Sequence, residues 1–167
     1  MEIEVRVEPN DQPLPKVTYR WDADTDILTA TLHATAAGEG MSGAVEIEGS
    51  DGSWLVFDVT GGRITSVEVA VWPDVRKVAG LAPPADVIGA RVTLPARRSQ
   101  PGLASLEVDT QVSAMSDPAE HTFHFRIGAV RAVRHVQFAK DLALDVDERD
   151  RVAGVWLLNV PPFPAEP

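Results

Sequence analysis

Between residues 55 and 73 the chain reads LVFDVTGGRITSVEVAVWP: an apolar run, the pair Gly61-Gly62, then Val67, Val69 and Val71 alternating with Glu68, Ala70 and Trp72. Alternation with a period of two places successive side chains on opposite faces of a strand. A Gly-Gly pair between two such runs predicts a β-hairpin. A second copy of the pattern follows at residues 142–161, LALDVDERDRVAGVWLLNVP. Asp58-Val59 aligns with Asp145-Val146, Arg63-Ile64 with Arg151-Val152, and Pro73 with Pro161. The offset is 87 residues before the turn and 88 after it, so the second turn carries one more residue.

The same reading extends over the rest of the chain. Ile3, Val5 and Val7 alternate with Glu4, Arg6 and Glu8, which predicts a half-buried strand closed by Pro9. Residues 9–15 form a turn-rich linker, residues 16–21 a strand, and Asp22, Asp24 and Asp26 a tight turn, because Asp side chains cap their own backbone. Strands follow at residues 27–32 and 44–48, separated by a Gly-rich loop. Residues 73–81 predict one short helix, with Pro73 in its first turn and Asp74 near its N-terminus. Pro83-Pro84 marks a boundary. Beyond it the offset of 87 recurs, with Val92 and Leu94 standing where Val5 and Val7 stood. Strands are predicted at residues 87–94, 103–115, 121–127 and 130–138, ahead of the second hairpin.

The expectation is therefore an all-β, mostly antiparallel protein. Two related β-meanders of about five strands would pack about a pseudo-twofold axis, sandwich- or barrel-like, with one short helix. The first repeat is residues 1–82, the second residues 83–161, and residues 162–167 are a Pro-rich tail.

The pattern Trp21-Asp22, Asp26, Leu28, then Val56-Phe57-Asp58, a glycine turn, and Ile64, Val67-Glu68-Val69 resembles the small DUF2283 family of bacterial proteins. The similar cores are residues 17–73 and, in degenerate form, 104–161. In the second, Asp117-Pro118-Ala119-Glu120 replaces the first turn while Leu144-Asp145-Val146 through Gly154-Val155 keeps the end of the pattern. The resemblance implies no activity, cofactor or catalytic residue. It hints at an antitoxin-like, partner-binding role.

Composition narrows the classes. There are no cysteines among the 167 residues, which removes disulfides, thiolate metal sites and a cysteine nucleophile. The acidic N-terminus has no apolar stretch of signal-peptide type, and no apolar run approaches membrane-helix length, so a cytoplasmic protein is expected. A formal net charge of −10 argues against nucleic-acid binding. The charge is uneven. Residues 1–86 hold 15 acids and 6 bases, whereas residues 87–167 hold 10 and 9.

Candidate chemistry is sparse. Asp22, Asp24 and Asp26 lack the mid-loop glycine and distal Glu of a Ca²⁺ loop. His121 and His124 fall on opposite faces of a strand, and His33 and His135 stand alone. Neither a serine-nucleophile nor a phosphate-loop motif occurs. Asp58 and Asp145 read as residues that begin hairpin turns. No cofactor is expected. Trp72 and Trp156 lie out of phase with the buried valines, so the last strand of each hairpin is apolar on both faces. The leading expectation is a noncatalytic protein-binding or self-associating module, in its sharper form an acidic inhibitor of a basic partner. Its surface would include Trp72, Trp156, Leu158, Glu46, Glu48, Arg131 and Arg134. The alternative is a small-ligand-binding protein or hydrolase-like enzyme with a pocket between the repeats, using Asp26, Asp58, His124 or Asp145.

Overall fold

The computed structural model describes residues 2–33, 38–96 and 103–164. Among these the protein is all-β, with no α-helix and two sheets that share one hydrophobic core. No helix of the described residues is long and apolar enough to cross a membrane.

The first half contains β1 (Arg6–Pro9), β2 (Val17–Trp21), β3 (Leu28–Leu32), β4 (Ser42–Gly49), β5 (Trp54–Thr60), β6 (Arg63–Val71) and β7 (Val75–Lys77). The second contains β8 (Ile88–Thr93), β9 (Leu103–Thr110), β10 (Val112–Ser116), β11 (Phe123–Ile127), β12 (Val133–Ala139), β13 (Leu142–Asp147) and β14 (Val152–Leu157). One sheet runs β2-β3-β6-β5-β4-β9 and the other β1-β8-β12-β13-β14-β11-β10-β7. The order β2-β3-β6-β5-β4 is repeated as β10-β11-β14-β13-β12. Within these five-strand units every neighbouring pair is antiparallel.

Of the remaining strands, β1, β7 and β9 pair with strands of the other half, and β8 stays with its own. β7 joins β10 and β9 joins β4, both in parallel. β8 lies parallel to β12 and carries β1 on its other side. An unpaired strand edge exposes a row of backbone donors and acceptors, and these additions cover edges of both five-strand units.

Two sequence expectations are corrected. The short helix over residues 73–81 does not form: Val75, Arg76 and Lys77 pair with Ala114, Met115 and Ser116 as β7, and the Val78 N–H continues to the Ser116 carbonyl at 2.8 Å. So short a helix is marginal by itself, and an open strand edge offers the same backbone groups better partners. The strand expected over residues 103–115 is two strands. At Gln111 the chain leaves β4 in one sheet and joins β11 in the other.

The Gly61-Gly62 turn forms as predicted, with φ of 53° and 78°. It also fastens the sheets. The Gly62 N–H donates to the Met41 carbonyl at 2.7 Å, the Leu94 N–H to the Gly62 carbonyl at 2.8 Å, and the Met41 N–H to the Leu94 carbonyl at 3.1 Å. A Cβ on Gly62 would lie 2.6 Å from Thr93 Cγ2 and 2.7 Å from the Glu39 carbonyl. The second hairpin turn is held in a related way. The Val5 N–H donates to the Asp150 carbonyl and the Val152 N–H to the Ile3 carbonyl.

Gly62→Ala should therefore lower unfolding stability by about 3 kcal/mol, since strain and overlap act together. Gly52 also has positive φ (88°) but open space around it, so Gly52→Ala should cost only about 1 kcal/mol. Urea unfolding of both variants checks the contrast. Equal losses would show that close approach at Gly62 contributes nothing.

Candidate functional site

The core-facing side of β13 and β14 carries Leu142, Leu144, Val155 and Leu157, all fully buried. Register then puts Asp145, Gly154 and Trp156 on the opposite side, with Asp145 directly across from both His135 and Gly154. Here Asp145 is 5% exposed and accepts three hydrogen bonds: from His124 Nε2 at 2.7 Å, His135 Nδ1 at 2.6 Å and Trp156 Nε1 at 3.0 Å. Gly154 makes the convergence possible, because a Cβ there would sit 2.7 Å from Asp145 Oδ2 and 3.1 Å from His124 Nε2. Burial works to raise the Asp145 pKa, but the hydrogen bonds and charges of the two histidines outweigh it and hold the carboxyl below its usual range.

This cluster corrects two sequence readings. His135 is not isolated, and the Asp145 side chain does not serve a turn. The turn is served by Asp147, whose Oδ1 accepts the Arg149 and Arg151 N–H groups, while its Oδ2 accepts Arg131 Nε at 2.8 Å and Arg151 Nε at 3.1 Å. Burial opposes ionisation of Asp147, yet these donors bring its pKa down to about 2. Asp58, aligned with Asp145, is exposed, and its carboxylate accepts from Ser66 Oγ at 2.7 Å.

An Asp-oriented imidazole is half of a general-base pair, so its free nitrogen decides the chemistry. His124 Nε2 is engaged by Asp145, and His124 Nδ1 is buried with no hydrogen-bond partner among the described residues. Among the described residues no hydroxyl or amine nucleophile hydrogen-bonds His124 or His135. No group of three or more His, Asp or Glu among them is arranged to hold a metal ion. The cluster is a polar network on the sheet's outer face in which one buried atom, His124 Nδ1, lacks a hydrogen-bond partner among the described residues.

The other residues singled out from sequence do not converge. Trp156 is 6% exposed and packs on His124 with ring centroids 4.3 Å apart. Trp72 stacks on Trp21, and its indole N–H donates to the Asp26 carbonyl at 2.7 Å. Glu46 and Glu48 are on β4, in the other sheet from Trp156. Arg131 is bound to Asp147, Arg134 pairs with Asp150 at 2.7 Å, and Leu158 is half-buried next to β14.

The cavity between the halves is built from residues that sequence reasoning passed over. Its volume is about 510 Å³. Leu32 and Ile64 come from one sheet, Ala90, Val92 and Phe138 from the other, and Leu14 from the linker above them. The linker is tied to both sides: the His33 N–H donates to the Lys16 carbonyl at 2.8 Å and the Lys140 N–H to the Pro15 carbonyl at 2.9 Å. Lys16, His33, Arg63 and Arg91 complete the wall. Arg91 pairs with Glu8 at 3.0 Å. Arg63 donates only to the Thr93 hydroxyl, with no carboxylate partner among the described residues. Burial, then repulsion by Arg91, depress its pKa against the opposing pull of Glu8. A cavity of this size, mostly apolar with a few convergent charges, has the character of a small-molecule site.

No protein-family model and no curated protein matches the chain.

Asp147 sets an acid limit on stability. Its pKa is lowered from 3.8 to about 2 on folding, so its contribution is complete above the unfolded value and is lost as pH falls through about 2. Asp147→Asn should destabilise on the order of 3 kcal/mol at neutral pH. The gap from the parent protein should narrow between about pH 4 and pH 2. Denaturant unfolding at stepped pH measures it, and a pH-independent gap would refute the assignment.

Proposed function

We propose that this is a noncatalytic binding protein whose inter-sheet cavity takes a small amphipathic anion, a carboxylate with an apolar body. The observation that carries this reading is Arg63, a half-buried cation on an apolar wall whose side chain hydrogen-bonds only the Thr93 hydroxyl among the described residues. A guanidinium offers five N–H donors in a fixed fork suited to a carboxylate. Lys16 and Arg91 add positive charge, of which Glu8 offsets one unit. In a chain of net charge −10 this is a local reversal of sign, and Leu14, Leu32, Ile64 and Phe138 give an apolar body its contact area.

The protein-partner reading has less support. Trp156 and Arg131 are engaged inside the molecule, and Glu46 and Glu48 sit on the other sheet. The matching five-strand orders support an internal duplication, and on that view the cavity lies between the two repeats.

Titration calorimetry with decanoate tests the proposal. Binding should saturate and weaken with salt. Arg63→Leu should weaken it about 10- to 100-fold, the size of one hydrogen bond to a charged group, with the melting profile showing that the variant folds. Decanol should bind far less. Equal binding of decanol, or undiminished binding to Arg63→Leu, would overturn the anionic specificity.

A further inference from the structure

A second, smaller cavity of about 260 Å³ opens where the β2–β3 turn, the end of β6 and the C-terminal segment meet. Trp21, Trp72, Phe123 and Phe163 line it together with two carboxylate residues, Asp26 and Glu120. The rings form a fixed array. Trp21 stacks on Trp72 at 5.6 Å, Phe163 meets Trp21 edge-on at 5.1 Å and 80°, and Phe123 is tilted against Trp72 at 5.1 Å.

Both indole N–H groups are already committed. Trp21 Nε1 donates to the Pro161 carbonyl at 2.9 Å and Trp72 Nε1 to the Asp26 carbonyl at 2.7 Å. What the two tryptophans have left to offer a ligand is π surface, and the remaining polar groups are anionic. Asp26 and Glu120 both hold positive φ (62° and 58°), each in the turn between the first two strands of its five-strand unit. Glu120 has an exposed pairing with Lys77 at 3.4 Å, a contact of small net worth. The Asp26 carboxylate has no cationic partner among the described residues.

Electron-rich rings beside carboxylates attract a cation, and an alkylated ammonium loses less hydration on entering an apolar pocket than a bare one. We propose that this pocket binds a small quaternary ammonium compound of the choline type. The site is separate from the Arg63 cavity, shares no lining residue with it, and stands or falls independently.

The test is a titration with tetramethylammonium and with choline, followed through the four tryptophan indole N–H resonances. Trp21 and Trp72 should shift saturably while Trp54 and Trp156 stay in place. Neopentyl alcohol, a neutral body of similar shape, should move them little. Asp26→Asn removes the charge yet keeps a residue that accepts the left-handed backbone, and together with Glu120→Gln it should weaken binding several-fold with the fold intact. Phe163→Ala removes an exposed wall outside both sheets and should weaken it as well. Absence of a saturable shift, an equal response to neopentyl alcohol, or unchanged binding to the Asp26→Asn/Glu120→Gln protein would overturn the proposal.

Discussion

The structure depends on a three-way backbone junction in which Gly62, Met41 and Leu94 exchange hydrogen bonds. A hairpin turn normally spends its backbone groups on water. Here the Gly62 carbonyl accepts from Leu94 at the end of β8, a strand of the other sheet, while the Gly62 N–H donates to Met41, and only a residue without a Cβ permits the approach. The junction holds the start of β6 against β8. Arg63 and Ile64 thereby come to face Ala90, Arg91 and Val92, and the inter-sheet cavity follows. The site is a consequence of how the sheets are joined, and the linker carrying Leu14 and Lys16 closes it.

Electrostatics separates this cavity from the other charged clusters. Asp147 is a buried acid matched by two arginines and two backbone N–H groups, and Asp145 is matched by two histidines and an indole. Both carboxylates are fully engaged, which adds rigidity, and in the Asp145 network only His124 Nδ1 is left without a partner among the described residues. Arg63 is the contrasting case, a cation whose surroundings depress its pKa and leave most of its donors unengaged by the described residues. An anion bound there would supply the charge that the fold omits.

Much of the architecture was legible from period-two alternation. Val67 and Val69, or Phe123 and Phe125, announce a buried row, and the Gly61-Gly62 turn and the turn of Asp22, Asp24 and Asp26 carry their own local chemistry. What stayed hidden was long-range. The parallel additions β9 to β4 and β7 to β10 join segments far apart in sequence, and nothing local in residues 73–81 separates an edge strand from a short helix. The Asp145 cluster had a readable trace: with Val136, Leu144 and Val146 facing inward, His135 and Asp145 share the outward face, and a glycine at position 154 within a strand signals close approach. Arg63 carried no such trace, because its surroundings come from β8, β12 and the linker, which only the folded chain brings together.

The most direct measurement of the central claim is a nitrogen–proton correlation spectrum of the protein recorded during titration with decanoate. Saturable shifts are expected to concentrate at Lys16, Leu32, Arg63, Ile64, Val92 and Phe138, with the outer face around Asp145 and Trp156 unmoved. Shifts confined to exposed apolar residues such as Ile88 and Val130, or none at all, would contradict it.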